Sequence, residues 1–138
     1  MFIKRYIGAV EFINGKERFC LWLKDASFED VKKCSSVMAK LDQVRAFRLA
    51  STAKPTVEKA ETPHLFFFIS QPDTDYLLIP SVSSENRKYI PIGYMDKNTI
   101  SSNLNMIVPS AELYHFGILT SNVHMAWTLV LCLIQTSI

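Results

Sequence analysis

The chain contains few glycines, and none of them lies in a glycine-rich loop of the kind that binds phosphate or a cofactor. Its four glycines never form the G-x-G-x-x-G pattern, the Walker pattern or the G-x-S-x-G pattern around a nucleophilic serine. These absences exclude the common motifs of nucleotide-binding enzymes and serine hydrolases. We therefore predict that the chain is not an enzyme, that it has no catalytic residues and that it uses no cofactor.

Cysteine and histidine are also scarce, and their spacing does not suit a metal site or a disulfide framework. The three cysteines, Cys20, Cys34 and Cys132, are odd in number and include no C-x-x-C pair. His115 and His124 are nine residues apart, which places them on opposite sides of a helix or a strand. We predict no metal site, and we expect the chain in the reducing cytoplasm.

Positive charge is missing from the C-terminal part of the chain. No Lys or Arg follows Lys97, whereas residues 1–60 hold twelve Lys and Arg against seven Asp and Glu. Residues 61–138 hold three against six. The net charge of +2 identifies no partner by itself. Any contact with phosphates must therefore come mainly from the first half, supplemented by Arg87, Lys88 and Lys97.

Charge of both signs is absent from residue 113 to the C-terminus, and residues 127–134 are strongly apolar. About 20 apolar residues suffice to cross a membrane. However, polar side chains interrupt the middle of this stretch at Ser121, Asn122 and His124. We predict that the stretch does not enter a membrane and that the apolar tail promotes self-association. A small tail-anchored membrane protein stays open as an alternative.

Short-range patterns predict two strands followed by helical structure. Asn14-Gly15 lies between the apolar runs 10–13 and 18–23, an arrangement typical of a β-hairpin. Across residues 28–50, apolar side chains recur every three or four positions, which predicts one kinked amphipathic helix or two helices. The recurring side chains are Val31, Cys34, Met38, Leu41, Val44 and Phe47.

The rest of the chain alternates polar connections with strand-like runs. Residues 51–63 form a polar connection with two prolines. The runs rich in aromatic or β-branched side chains, which predict strands, are 65–69, 76–79, 89–92 and 103–108. For residues 113–134 the sequence predicts one or two helices. This order indicates an α+β fold with an antiparallel or mixed sheet, one or two amphipathic helices at about residues 28–50 and a C-terminal helical segment.

Residues 81–88, with the sequence Ser-Val-Ser-Ser-Glu-Asn-Arg-Lys, form a polar loop between two strand-like runs. Ser84 can bond a phosphate oxygen, while Asn86 and Arg87 have side chains that fit adenine and guanine edges. Lys88 adds a positive charge. This loop is the best candidate for a recognition loop.

Longer strings of the sequence resemble the target-recognition region of MmeI-like type II restriction–modification enzymes. They follow the family's order over residues 5–127, nearly the whole chain, and together they are highly specific. The strings are Tyr6-Ile-Gly-Ala-Val-Glu-Phe-Ile-Asn-Gly-Lys-Glu-Arg-Phe-Cys-Leu-Trp-Leu23, Val44-Arg-Ala-Phe-Arg-Leu-Ala-Ser51, Thr62-Pro-His-Leu65, Tyr76-Leu-Leu-Ile-Pro80, Ser83-Ser-Glu-Asn-Arg-Lys-Tyr-Ile-Pro-Ile-Gly93 and Leu113-Tyr-His-Phe-Gly-Ile-Leu-Thr-Ser-Asn-Val-His-Met-Ala-Trp127.

In this family a nuclease, an adenine-N6 methyltransferase that uses S-adenosylmethionine and the recognition region form one long chain. The resemblance implies that residues 1–127 are a DNA target-recognition domain. Its implied partners are double-stranded DNA and methyltransferase and nuclease domains encoded nearby. The chain lacks the Asn-Pro-Pro-Tyr type of tetrapeptide that holds the target adenine. Residues 128–138 depart from the family as a divergent apolar tail, so we interpret the chain as a fragment, either a gene remnant or part of a split reading frame.

On this interpretation the DNA contacts fall into two groups. Phosphate anchors are predicted near the end of the amphipathic helix at Arg45, Arg48 and Lys54. The recognition loop is predicted to contribute Ser84, Asn86, Arg87 and Lys88. A structural interaction module that pairs with a neighbouring gene product is the second alternative.

Overall fold

The chain is divided into two compact units, both of which are discontinuous in sequence. Unit 1 comprises Met1–Lys4 and Phe19–Ile69, and unit 2 comprises Arg5–Arg18 and Ser70–Ile138. The residues described by the computed structural model are 2–82, 87 and 89–135.

The described residues form both helices and strands. In chain order these are β1 (Ile3–Ile7), α1 (Ala9–Asn14), β2 (Phe19–Leu21), α2 (Phe28–Lys32), α3 (Ser35–Leu49), α4 (Lys54–Glu58), a 3₁₀ helix (Lys59–Glu61), β3 (Tyr76–Pro80), β4 (Gly93–Met95), β5 (Ile100–Ser101), β6 (Asn105–Pro109), α5 (Leu113–Leu119) and α6 (Asn122–Gln135). The predicted α+β class is confirmed.

Unit 1 contains α2 and α3, which are separated by a break in the helical backbone. Cys34 is the N-cap of α3 and has an extended backbone, with φ −106° and ψ 95°. The helical hydrogen bonds therefore start again after it. The predicted helical structure of residues 28–50 is confirmed, and of its two predicted forms the chain has two helices. The apolar sides of the two helices form a core whose buried members are Leu23, Val31, Val37 and Leu41. Burying a side chain of this size stabilises a fold by about 1.5–3 kcal/mol.

Residues 51–63, predicted as a polar connection, contain α4 and the 3₁₀ helix instead. Pro55 occupies the first turn of α4, where its missing N–H removes no helical hydrogen bond and its fixed φ suits entry into a helix. A proline that predicted a connection therefore begins a helix. The prediction of a strand at residues 65–69 is also wrong, because these residues continue as an irregular segment after the 3₁₀ helix.

In unit 2 the Asn14-Gly15 pair ends helix α1 and does not form a hairpin turn. Gly15 is the C-cap, with a left-handed backbone (φ 62°), and its N–H donates to the carbonyl of Glu11. At the other end of the helix, the N–H of Gly8 donates to the Glu11 carboxylate at 3.0 Å. Both ends of this short helix are thus capped. The strand predicted at residues 10–13 is therefore wrong, while β2 lies within the second predicted strand.

Strand β3 is the centre of an antiparallel sheet with the order β4-β3-β6. Its side chains Tyr76, Leu77 and Leu78 are fully buried. Leu77 lies opposite Tyr94 on β4 and Val108 on β6. A run of buried residues on successive positions requires cover on both faces of the sheet, so β3 forms the centre of this unit.

Unit 2 also contains a parallel strand pair, in which Tyr6 of β1 lies opposite Ile100 of β5. The prediction of an antiparallel or mixed sheet is thus confirmed. The strands predicted at residues 76–79 and 103–108 are confirmed as β3 and β6. The strand predicted at residues 89–92 is wrong, since the pairing begins after it at β4.

The C-terminal part of unit 2 consists of α5 and α6, which confirms the predicted C-terminal helical segment. Met125 of α6 is buried, with 3% of its surface exposed. Within the described part of the chain, no helix combines the length and apolar character needed to span a bilayer.

Candidate nucleic-acid interface

The predicted phosphate anchors lie at the end of α3 and the start of α4. Arg45 is exposed and Arg48 is half-buried. The two are three residues apart on α3, so they lie on neighbouring positions of one side of the helix. Lys54 is exposed at the first residue of α4. The structure therefore presents Arg45 and Lys54 to solvent and partly withdraws Arg48 from it.

Three main-chain carbonyls of unit 1 hold the guanidinium of Arg48. Its Nη1 donates to the carbonyl oxygens of Lys59 at 2.7 Å and Thr62 at 2.9 Å. Its Nη2 donates to the carbonyl oxygen of Leu65 at 2.8 Å. These bonds fix the residues after the 3₁₀ helix against α3. A guanidinium whose donors are engaged in this way is better suited to hold this segment than to bind a phosphate.

The segment that Arg48 holds continues into three consecutive phenylalanines. The ring of Phe66 packs against the buried Trp22 with 5.5 Å between centroids. Phe67 and Phe68 contact each other with 4.8 Å between ring centroids, and both are exposed. We call residues 65–69 the aromatic segment. Sequence reasoning missed its exposure because an aromatic run favours a strand; three adjacent aromatics in a polar neighbourhood are the signal that was available.

A cavity of about 310 Å³ lies within unit 1 and has Arg45 among its lining residues. Apolar side chains of α2 and α3 form part of the lining. Its polar lining residues are Asp42, Arg45, Glu61 and His64. Because two carboxylates accompany the one guanidinium, the cavity itself does not favour a phosphate.

The predicted recognition loop lies in unit 2, and hydrogen bonds hold its first residue and the residue that follows it. At its first residue, the hydroxyl of Ser81 donates to the carbonyl of Leu104. After it, the hydroxyl of Tyr89 donates to Oδ1 of Asn122 at 3.1 Å. Arg87 is exposed. The other predicted contacts of the loop lie outside the described residues; they are Ser84, Asn86 and Lys88.

Charge is distributed unevenly between the two units. Unit 1 carries nine Lys and Arg against six Asp and Glu, whereas unit 2 carries six against seven. Unit 1 should therefore attract a polyanion more strongly than unit 2 does. Among the residues described, no group of three or more His, Cys, Asp or Glu side chains could hold a metal ion.

The chain matches a known protein family. The family model described as "MmeI, target recognition domain" matches residues 1–133. The chain belongs to the MmeI target recognition domain family. The resemblance carried by the strings of residues 6–127 is thereby confirmed.

Two relatives of the chain are much longer proteins. "DNA methyltransferase A" of Bacillus subtilis (strain 168) is 42% identical over 126 residues, which are 91% of this chain and 14% of the relative. The type IIL restriction-modification enzyme MmeI, whose structure was solved in complex with DNA, is similar with a TM-score of 0.89 and 52% sequence identity. That similarity covers 91% of this chain and 17% of the MmeI chain. The chain thus spans less than a fifth of either relative.

Proposed function

We propose that this chain is the DNA sequence-recognition module of a restriction–modification system that methylates adenine. The observation that carries the proposal is the similarity to MmeI, solved with bound DNA, at 52% identity over 91% of the chain. A shared fold does not by itself imply a shared function. The surplus of positive charge in unit 1 and the exposed Arg45 and Lys54 supply the site-level support.

In this proposal the two units contribute different kinds of contact. Arg45 and Lys54 anchor phosphates without regard to sequence. Arg87, with Asn86, Lys88 and Ser84 from the same loop, contacts base edges and neighbouring phosphates. Arg48 acts indirectly, because its guanidinium holds the aromatic segment in place.

Titration of fluorescent duplex DNA with the purified chain tests the proposal. Non-specific binding has a dissociation constant of about 10⁻⁴–10⁻⁶ M and weakens steeply with salt. Arg45→Ala and Lys54→Ala should each weaken binding to all duplexes and reduce the salt slope by about one. Lys24→Ala, which removes an exposed lysine elsewhere in unit 1, is the matched control and should leave binding unchanged.

Selection from a random duplex library tests the sequence-specific part. A short enriched motif is expected, and Arg87→Ala should relax the preference at one position at a cost of about 1–3 kcal/mol. A folded chain that binds no DNA at low salt would refute the proposal. If Arg87→Ala changes neither affinity nor preference, the assignment of the recognition loop is wrong.

The proposal assigns catalysis to other domains. The chain spans 14% and 17% of its two relatives, and we propose that methyltransferase and nuclease domains act on the DNA that it selects. The chain itself has no catalytic role and works in the cytoplasm beside those partners. Transfer of labelled methyl groups from S-adenosylmethionine to DNA by the purified chain alone would contradict this assignment.

We also propose that the chain self-associates through α6 and the apolar tail. Val123, Trp127 and Val130 follow the four-and-three spacing of one helix side, and their exposed fractions are 82%, 67% and 55%. Leaving such side chains in water forgoes about 1.5–3 kcal/mol each. Sedimentation should show a concentration-dependent oligomer that Trp127→Glu weakens. A monomer at all concentrations would rule out the association.

A further inference from the structure

The aromatic segment combines exposed rings with a rigid support. Phe68 has 61% of its surface exposed and Phe67 has 38%, in contact with each other at 4.8 Å. Exposed aromatic side chains of this size lose the stabilisation that burial would give them. Because the two rings also contact each other, they offer one continuous apolar surface that a ligand can cover.

Two independent contacts hold the segment on its inner side. The carbonyl of Leu65, the residue directly before the rings, accepts a hydrogen bond from Arg48 at 2.8 Å. Phe66 packs against Trp22, of which 8% is exposed. The two residues directly before Phe67 and Phe68 are thus held in place before any ligand arrives. Binding to such a segment loses little conformational entropy.

The charge of the surrounding unit points to the chemistry of the ligand. Unit 1 carries nine Lys and Arg against six Asp and Glu. Arg45 of α3 and His64, which lies just before the aromatic segment, line the same cavity together with Asp42 and Glu61, so the exposed Arg45 is a cation close to the base of the segment. Aromatic rings beside cations are the arrangement with which proteins hold nucleobases whose phosphates are bound nearby.

We propose that Phe67 and Phe68 form a wedge that stacks against nucleobases at an opened step of bound duplex DNA. This inference rests on the proposed DNA-binding function. It adds a contact with the faces of the bases, which involves neither phosphates nor base edges. Insertion of apolar side chains between base pairs unstacks and kinks a duplex. A DNA methyltransferase requires such an opening, because its target base must leave the stack. The wedge would favour DNA that is already open at that step.

The test compares the 138-residue chain with Phe68→Ala and with the double variant Phe67→Ala/Phe68→Ala. Each protein is titrated into a fully paired duplex and into one with a two-nucleotide mismatch. A 2-aminopurine base beside the mismatch reports stacking by its fluorescence. The matched control is Phe47→Ala, which removes a more exposed ring, at 77%, from α3 of the same unit. Phe68→Trp keeps a stacking ring and should retain binding.

The expected result is weaker binding of the mismatched duplex by about 5- to 100-fold in the double variant, corresponding to the loss of base–aromatic stacking. The salt slope should stay that of the wild type, because no phosphate contact is removed. The fluorescence change should occur with the wild type, Phe47→Ala and Phe68→Trp, and disappear with the double variant.

Other outcomes overturn the inference in distinguishable ways. If the double variant binds both duplexes like the wild type while Arg45→Ala weakens binding, the wedge is wrong and the proposed function stands. If the double variant alters only the sedimentation of the chain, the segment is a protein contact and the wedge is again wrong. A folded wild-type chain that binds neither duplex overturns both proposals. Circular dichroism of every variant distinguishes these results from unfolding.

Discussion

Replacing Arg48 with alanine separates two roles for this side chain. As a phosphate anchor, Arg48 would contribute to DNA binding and little to stability. As the partner of three carbonyls, it stabilises unit 1 and holds the aromatic segment. Arg48→Ala therefore affects different measurements under the two interpretations, and the hydrogen bonds favour the second.

The magnitude of the stability loss follows from the exposure of the three bonds. The bond to the carbonyl of Lys59 is exposed, whereas those to Thr62 and Leu65 are partly buried. Water can replace the first, so its loss costs less than about 0.5 kcal/mol, while each partly buried bond contributes about 1 kcal/mol. We expect Arg48→Ala to lower the free energy of unfolding by about 2 kcal/mol.

Urea unfolding followed by circular dichroism measures this loss. Arg45→Ala is the matched control, since Arg45 is exposed on the same helix and should change stability by less than about 0.5 kcal/mol. Arg48→Lys keeps the charge but cannot reproduce the forked bonds, so it should lose most of the same stability. If Arg48→Ala unfolds at the wild-type urea concentration and weakens DNA binding as Arg45→Ala does, the structural role is refuted.

Three further predictions concern unit 2. Burial raises the pKa of Tyr76 to about 12, and its hydroxyl donates to the carbonyl of Thr99 at 2.6 Å. An unfolded tyrosine loses its proton near pH 10, so the folded chain binds more protons between pH 10 and 12 and its stability falls as the pH rises through that window. The fall is on the order of 2 kcal/mol; urea unfolding across this range measures it, and an equally steep fall in Tyr76→Phe would contradict the assignment. In Gly93→Ala the new Cβ would lie 2.9 Å from the ring of Phe12, which predicts a loss of about 1–3 kcal/mol by overpacking. Gly117→Ala meets no atom within 4 Å in helix α5, so it should stabilise by about 0.5–1 kcal/mol; equal melting temperatures of the two variants would show that the packing argument is wrong.

Elements fixed by local pattern were predictable from the sequence. The run at residues 76–79 consists of aromatic and aliphatic side chains between two prolines, and it is the buried strand β3. An interruption in the helical structure of residues 28–50 was likewise indicated, as a kink or as a division into two helices, because the three-residue spacings make a single apolar stripe drift around the helix. In both cases, the local pattern and the tertiary packing favour the same structure.

Elements that depend on distant contacts were not predictable. Asn-Gly suits both a hairpin turn and the end of a helix, since each needs a residue with positive φ. What decides between them in α1 includes the capping of Gly8 by Glu11 and the packing of Phe12 against the buried cluster of Ile7, Tyr76 and Leu78. Two members of that cluster, Tyr76 and Leu78, are more than sixty residues away from Phe12 in the sequence, so no window of the sequence around Asn14-Gly15 contains the whole cluster.

The candidate site shows the same division between local and distant information. Sequence counts located the positive charge in the first half of the chain, and the resemblance identified the family. Neither could distinguish Arg45 from Arg48, because the two arginines carry the same charge and lie three residues apart on the same helix. The difference arises from carbonyls 11, 14 and 17 residues after Arg48.

This difference changes how basic residues are assigned to DNA. A guanidinium bonded to three carbonyls of its own unit would have to give up those bonds to engage a phosphate fully, and the loss of the partly buried pair alone costs about 2 kcal/mol. An exposed guanidinium such as that of Arg45 meets no such cost. Phosphate contacts should therefore be sought first among cations that the fold leaves exposed. Arg48 affects DNA binding through what it holds in place, so its replacement should impair the stacking contact of Phe67 and Phe68 more than it changes the salt slope.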